Sequence, residues 1–199
     1  YYNNGDLMYE GEYLNGEING KGNEYYHGGI LMYEGEFLKG QRNGKGKKYY
    51  KNGELEFKGE FLNGIGWIGK GKEFYDSGKL LFEGDYLNGQ RNGKGKEYFV
   101  DGNLMFDGVY LNEKRWNGKG YNKDGIIEFE VKNGNGKGKE YYKNGVLKLE
   151  VEYINGERNG NVKEYYNNGE LRFEGEYLNG KLIKQIYGKG IVCMIENIS

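Results

Sequence analysis

Apolar and polar residues alternate along this chain in short runs. In Leu55-Glu-Phe-Lys-Gly-Glu-Phe-Leu62, one set is Leu55, Phe57, Gly59 and Phe61, and the other is Glu56, Lys58, Glu60 and Leu62. Successive strand residues point to opposite faces, so each set shares a face. The run Gly44-Lys-Gly-Lys-Lys-Tyr-Tyr50 behaves likewise, with Gly44, Gly46, Lys48 and Tyr50 opposed to Lys45, Lys47 and Tyr49. The runs are closed by Asn-Gly or Asp-Gly steps, strong hairpin signals because a type I′ turn needs positive φ at both central residues. No segment between turns is long enough for a helix. The pattern predicts an all-β chain of consecutive hairpins.

The hairpins repeat. Tyr9-Glu-Gly-Glu-Tyr-Leu-Asn-Gly16 returns almost unchanged from Tyr33, Phe57, Phe82 and Phe173, and more weakly from Phe106, Phe129 and Leu149. The steps between these starts are 24, 24, 25, 24, 23, 20 and 24 residues. A second half-unit, as in Lys45-Gly-Lys-Lys-Tyr-Tyr50 and Lys137-Gly-Lys-Glu-Tyr-Tyr142, follows a turn such as Asn88-Gly-Gln-Arg-Asn-Gly93. Tyr1-Tyr-Asn-Asn-Gly5 reads as the tail of a unit that starts earlier. The expected architecture is an elongated, single-layer antiparallel meander of about eight hairpins over residues 1–180, twisted or curled, with an atypical C-terminal cap over 181–199. Contacts in such an array are nearest-neighbour, and its terminal units are typically irregular.

Composition narrows this further. Glycine supplies 38 of 199 residues and tyrosine 21, with no proline. That much glycine opposes a helical protein, and the absence of proline and of a three-residue period excludes collagen. An aromatic content of 16% opposes a disordered linker. We expect two roles for glycine, one in turns and one beside aromatic rings, where a missing side chain lets the ring lie over the neighbouring backbone. The opposite face pairs Glu of one strand with Lys of the next. This explains 29 basic against 30 acidic residues and a formal charge of −1. Charge balance argues against nucleic acid and against a polybasic membrane clamp. The single cysteine suits a reducing compartment, so a cytoplasmic location is expected, peripheral to membrane or cytoskeleton as the alternative.

The Tyr-Glu-Gly-Glu-Tyr-Leu-Asn-Gly…Asn-Gly-Lys-Gly pattern resembles the MORN (membrane occupation and recognition nexus) repeat family, over about residues 7 to 180. The resemblance implies one hairpin per unit, with units stacked into a twisted sheet. It implies scaffolding, dimerisation, protein-binding or lipid-associating roles, and similar arrays occur in bacterial antitoxin-like proteins. The Lys-Gly-Lys-Glu-Tyr-Tyr second strand departs from the family pattern.

Several irregularities stand out. Trp67 and Trp116 sit in turns lengthened by one residue and are read as partner anchors or as rings folded over their own hairpin ends. The units from Phe106 and Phe129 are shortened, predicting a kink or weak pairing near residues 117–137. Val131, Val151 and Val162 replace repeat glycines and compensate by packing. Cys193, in the apolar segment after Leu182, reads as a small buried hydrophobe.

No catalytic constellation appears. His27 is alone at a turn, and the glycines precede no helix, so they form no phosphate loop. The chain reads as a non-enzyme without cofactor or metal: an interaction scaffold binding a protein partner or itself. Its contact stripe would be Tyr13, Phe37, Phe61, Tyr86, Tyr110, Tyr153 and Tyr177, with Trp67 and Trp116. The competing reading makes these rings the core of the sheet. The alternatives are a lipid or membrane-surface module and a toxin-neutralising antitoxin. Carbohydrate binding is disfavoured by two tryptophans against 21 tyrosines.

Overall fold

A computed structural model describes residues 1–142, 144–187 and 191–194. Among these residues all regular structure is β, and no helix is long and apolar enough to cross a membrane. The strands are β1 Tyr9–Leu14, β2 Glu17–Tyr25, β3 Leu31–Leu38, β4 Gln41–Tyr49, β5 Leu55–Leu62 and β6 Ile65–Phe74. They continue as β7 Leu80–Leu87, β8 Gln90–Tyr98, β9 Leu104–Leu111, β10 Lys114–Tyr121 and β11 Ile127–Val131. The remainder are β12 Gly136–Tyr141, β13 Leu147–Ile154, β14 Glu157–Tyr165, β15 Leu171–Leu178, β16 Lys181–Tyr187 and β17 Ile191–Met194.

Neighbouring strands follow chain order, as a meander requires. The expected single sheet is, however, two: β1 to β11 form one and β12 to β17 the other. The break falls inside the stretch where weak pairing was predicted. β11 has five residues and β12 six; too few ladder positions remain, and only the isolated bridge Lys132–Asn135 lies between them. By compactness the chain divides into a first unit, residues 1–73 with 83–93, and a second, residues 74–82 with 94–199.

Two turn types alternate, and their places are the reverse of the expected long turn inside the unit and type I′ step at its close. The turn inside each unit is a two-residue type I′ loop such as Asn63-Gly64, with φ of 50° and 84°. The turn closing each unit is wider. At Tyr50–Gly53 the Gly53 amide donates to the Tyr50 carbonyl, and only the glycine has positive φ. The long turn expected at Asn88–Gly93 does not exist. Asn88-Gly89 makes the whole turn and Gln90 opens β8, because the Arg91 side chain is held on the sheet by Glu73.

In the first unit a row of glycines runs across the strands. Gly11 lies opposite Gly22, then Gly35, Gly46 and Gly59 follow in register. Over this row lie Tyr9 and Tyr33; a Cβ at Gly46 would sit 2.3 Å from the Tyr33 hydroxyl oxygen. Glycine and ring are therefore one packing element, as the alternation implied. In the second unit Phe82, Phe106 and Phe129 keep this arrangement over Gly95, Gly118 and Gly120, but at β13 and β14 it is inverted. Leu149 takes the ring position, and Val151 and Val162 fill the freed space, all three buried with Phe173.

The tyrosine pairs also gain an explanation. The second tyrosine of Tyr25-Tyr26 donates its hydroxyl to the Tyr49 carbonyl, and Tyr2, Tyr75 and Tyr142 do likewise to residues 23 positions on. Each such bond ties one repeat to the next.

Candidate functional site

The aromatic face is largely a core. Tyr33 is fully buried between Phe37 and Phe61, edge-to-face at 5.1 and 4.9 Å, a geometry rings prefer over a face-to-face sandwich. Phe57 meets Phe61 at 5.2 Å and Tyr86 at 5.8 Å. In the second unit Phe82 and Phe106 pack on Tyr110 at 5.2 and 5.6 Å. Of the nine residues picked from the sequence, Phe37, Phe61 and Tyr110 are interior, at 3%, 3% and 1% exposure. They are closed to a partner because their neighbours' rings cover them. Tyr86, Tyr153 and Tyr177 are half-buried, while Tyr13 on the edge strand β1 is 59% exposed.

Both tryptophans lie in strands rather than turns. Trp67 is the extra residue of a bulge between the pairs Phe61–Gly66 and Glu60–Ile68. Trp116 is the equivalent between Tyr110–Arg115 and Val109–Asn117. Repeats without tryptophan shift register at the same place, as between Gly35–Gly46 and Phe37–Arg42, so the bulge is part of the repeat and the loop stays two residues long. The Trp116 ring rests against the next turn, where a Cβ on Gly134 would lie 2.6 Å from it. It does not fold over its own hairpin end. Both rings are half-buried.

A polar clamp that the sequence reading missed recurs on this face. Tyr86 donates its hydroxyl to Glu73 at 2.5 Å, and Arg91 grips the same carboxylate through Nε and Nη2 at 2.8 and 2.6 Å. Tyr110, Glu97 and Arg115 repeat the arrangement, as do Tyr153, Glu140 and Arg158. Near the N-terminus Arg42 meets Glu24 at 2.5 Å beside Phe37, which has no hydroxyl to add. Glu stands 13 residues before Tyr and 18 before Arg, in the preceding repeat, so no local motif joins them. The available signal is that the Glu of Lys-Gly-Lys-Glu accompanies an Arg one hairpin later. Burial raises the phenol of Tyr86 well above its ordinary value, and the bond to Glu73 adds to this. Burial opposes the charge of Arg115, but the Glu97 carboxylate together with Tyr110 and Tyr153 outweighs it and strengthens the guanidinium's hold on its proton.

The opposite face carries the expected cross-strand ion pairs. Glu34 lies 2.7 Å from Lys47, Lys70 is 3.0 Å from Asp85, and Lys163 is 3.2 Å from Glu174. Each is an exposed pair worth about 0–1 kcal/mol. The glycine row leaves bare backbone between the two charged rows. In the first unit this makes an open groove of about 780 Å³, floored by Gly22, Gly35, Gly46 and Gly59. A corresponding groove of about 650 Å³ in the second unit has Gly138, Val151, Val162 and Gly175 along its floor.

An apolar row completes the surface. Leu14, Leu38, Leu62 and Leu87, each just before an Asn-Gly or Lys-Gly turn of the first unit, are 38–59% exposed. Among the described residues no cluster of His, Cys, Asp and Glu could hold a metal ion. His27 stacks on Tyr2 at 3.8 Å and stands 3.9 Å from Asp6, whose carboxylate accepts the Gly28 amide. That arrangement fastens a turn. The Cys193 side chain lies outside the described residues.

A family model described as MORN repeat matches residues 9–30, 33–54 and 82–104. A second, described as a MORN repeat variant, matches 68–88, 134–155 and 158–179. Together they account for more than half of the chain. Comparison with curated proteins gives no significant match.

Proposed function

The chain belongs to the MORN repeat family, and from that premise we propose that it is a non-catalytic scaffold binding a protein partner, which is another protein or a second copy of itself. MORN repeats are generally protein- or membrane-interaction modules. The observation that carries the protein reading is the exposed row Leu14, Leu38, Leu62 and Leu87. Isolated surface leucines are ordinary, but one per hairpin at the same strand end makes a linear apolar strip, the kind of surface that marks interaction sites. Tyr13 and the half-buried Trp67 and Trp116 supply ring edges, and Tyr86, Tyr153 and Tyr177 offer part of theirs. Phe37, Phe61 and Tyr110 act by holding these rings in place. A toxin neutralised by this protein would be one such partner. The charge balance of 29 to 30 gives an anionic bilayer little to attract.

The test is affinity capture from the native source, with solution mass measured in parallel, comparing the natural chain with Leu38→Lys/Leu62→Lys. Both leucines are partly exposed, so the variant keeps its fold. Loss of capture or of a dimer mass supports the scaffold. Unchanged capture by the variant removes the leucine strip. A monomeric mass with flotation on anionic vesicles and no captured protein transfers the function to membranes.

A further inference from the structure

Lys58 breaks the repeat's charge rule. It follows Phe57, the unit's first aromatic, and in all seven other units that place holds Glu or Asp, Glu34 and Glu83 among them. Glu10 faces Asn23, but beyond the first repeat the acid typically meets a lysine across the strand, as Glu34 meets Lys47. Lys58 instead lies opposite Lys47 on β4 and opposite Lys70 on β6. Like charges directly opposed across strands are destabilising. Lys47 and Lys70 each have an acid, Glu34 and Asp85; Lys58 is exposed and has no ion pair among the described residues. The sheet thus holds a three-lysine row, whereas at the same place Glu34, Glu83, Asp107, Glu150 and Glu174 each pair with a lysine.

The row borders the first-unit groove. Lysines outnumber glutamates four to three in its walls, whereas in the second-unit groove they are outnumbered three to four. The groove reaches from Lys21 on β2 to Ile68 on β6. Five strands at about 4.8 Å spacing span roughly 19 Å, the length of about six extended residues. Ile68, 43% exposed, ends it with an apolar side chain. Three wall glutamates oppose a continuous polyanion such as a bilayer or a nucleic acid, while leaving room for carboxylates placed at intervals.

We infer that the first-unit groove binds a short extended acidic peptide segment of a protein partner, with carboxylates on Lys58 and its flanking lysines and an apolar side chain on Ile68. This rests on the scaffold reading and specifies where and by what chemistry the partner docks.

The probe is a mixture of blocked hexapeptides, each with two acidic residues and one leucine in varied order, against a control mixture with lysine replacing each acid. Binding is followed by amide shifts at Gly46, Gly59 and Gly69 at low ionic strength. The acidic mixture is expected to bind and the basic one not. Lys58→Glu restores the repeat's own acid, so it folds at least as well and loses binding by about tenfold or more, since a like charge replaces a complementary one. Lys137→Glu, in the second groove, retains it. Binding by Lys58→Glu within about twofold of the natural chain, or equal binding of both mixtures, overturns the inference. So does association with phosphatidylserine vesicles in place of peptides. If the native partner is captured equally by Lys58→Glu, the groove is excluded and the scaffold stands.

Discussion

Gly46→Ala probes the ring-over-glycine packing that recurs along the first unit. Gly46 has no left-handed φ, so only space forbids a side chain there. The added methyl would lie 2.3 Å from the Tyr33 hydroxyl oxygen and 2.5–2.6 Å from its ring carbons. Tyr33 has little room to yield. Phe37 and Phe61 pack its edges, the Arg42 guanidinium covers it at 5.0 Å, and its hydroxyl donates to the Glu36 carbonyl at 3.1 Å. Overpacking of this kind costs about 1–3 kcal/mol. At about 2–4 °C per kcal/mol for a chain of this size, a mid-range cost of about 2 kcal/mol lowers Tm by about 4–8 °C. The second unit already contains the compensated version, with Leu149 in place of the ring and Val162 in place of the glycine. Tyr33→Leu removes the clashing hydroxyl and far ring carbons at a cost of about 2–3 kcal/mol in lost packing. In that background Gly46→Ala fills vacated space and becomes neutral or stabilising. Guanidinium unfolding of the natural chain, both single variants and the double variant yields the coupling energy, expected at about 1–3 kcal/mol. An equal penalty for Gly46→Ala in both backgrounds, with coupling below about 0.5 kcal/mol, would refute the ring-over-glycine account.

Glu97→Gln leaves the Arg115 guanidinium without its carboxylate on the covered face, and a loss of about 3–5 kcal/mol is expected. Denaturant titration checks this, and Glu174→Gln, on the exposed face, should cost under about 1 kcal/mol. Burial lifts Tyr33 and Tyr50 to about 12, above the ordinary phenol value near 10. Their neutral forms therefore contribute stability that is complete below about pH 10 and lost as pH climbs towards about 12. Tyrosinate absorbance should lag behind free tyrosine and rise together with loss of the β-sheet circular dichroism. Titration of every tyrosine near pH 10 with the sheet intact would contradict it.

The sequence alone determined the repeat, the strand alternation, the pairing of glycine with aromatic rings and the Glu–Lys ladder of the outer face. All follow from a period of two within strands and of about 24 between units, and both are local properties. It also located the weak stretch, since shortened runs leave too few residues to pair. Register decided the rest. Whether Phe37 is surface or core depends on Tyr9 reaching it from β1, to add to Tyr33 on its own strand. The Tyr86–Glu73–Arg91 clamp joins residues up to 18 apart, brought together only once adjacent hairpins lie side by side. Trp67 and Trp116 looked like turn residues because one residue was added. Both stand within strands, at a register shift that other repeats also carry, which no alternation pattern distinguishes from a longer loop. Lys58 looked like one more charge on a charged face. Its isolation between Lys47 and Lys70 emerges only when the bulge at Trp67 fixes which residues of β6 stand opposite β5.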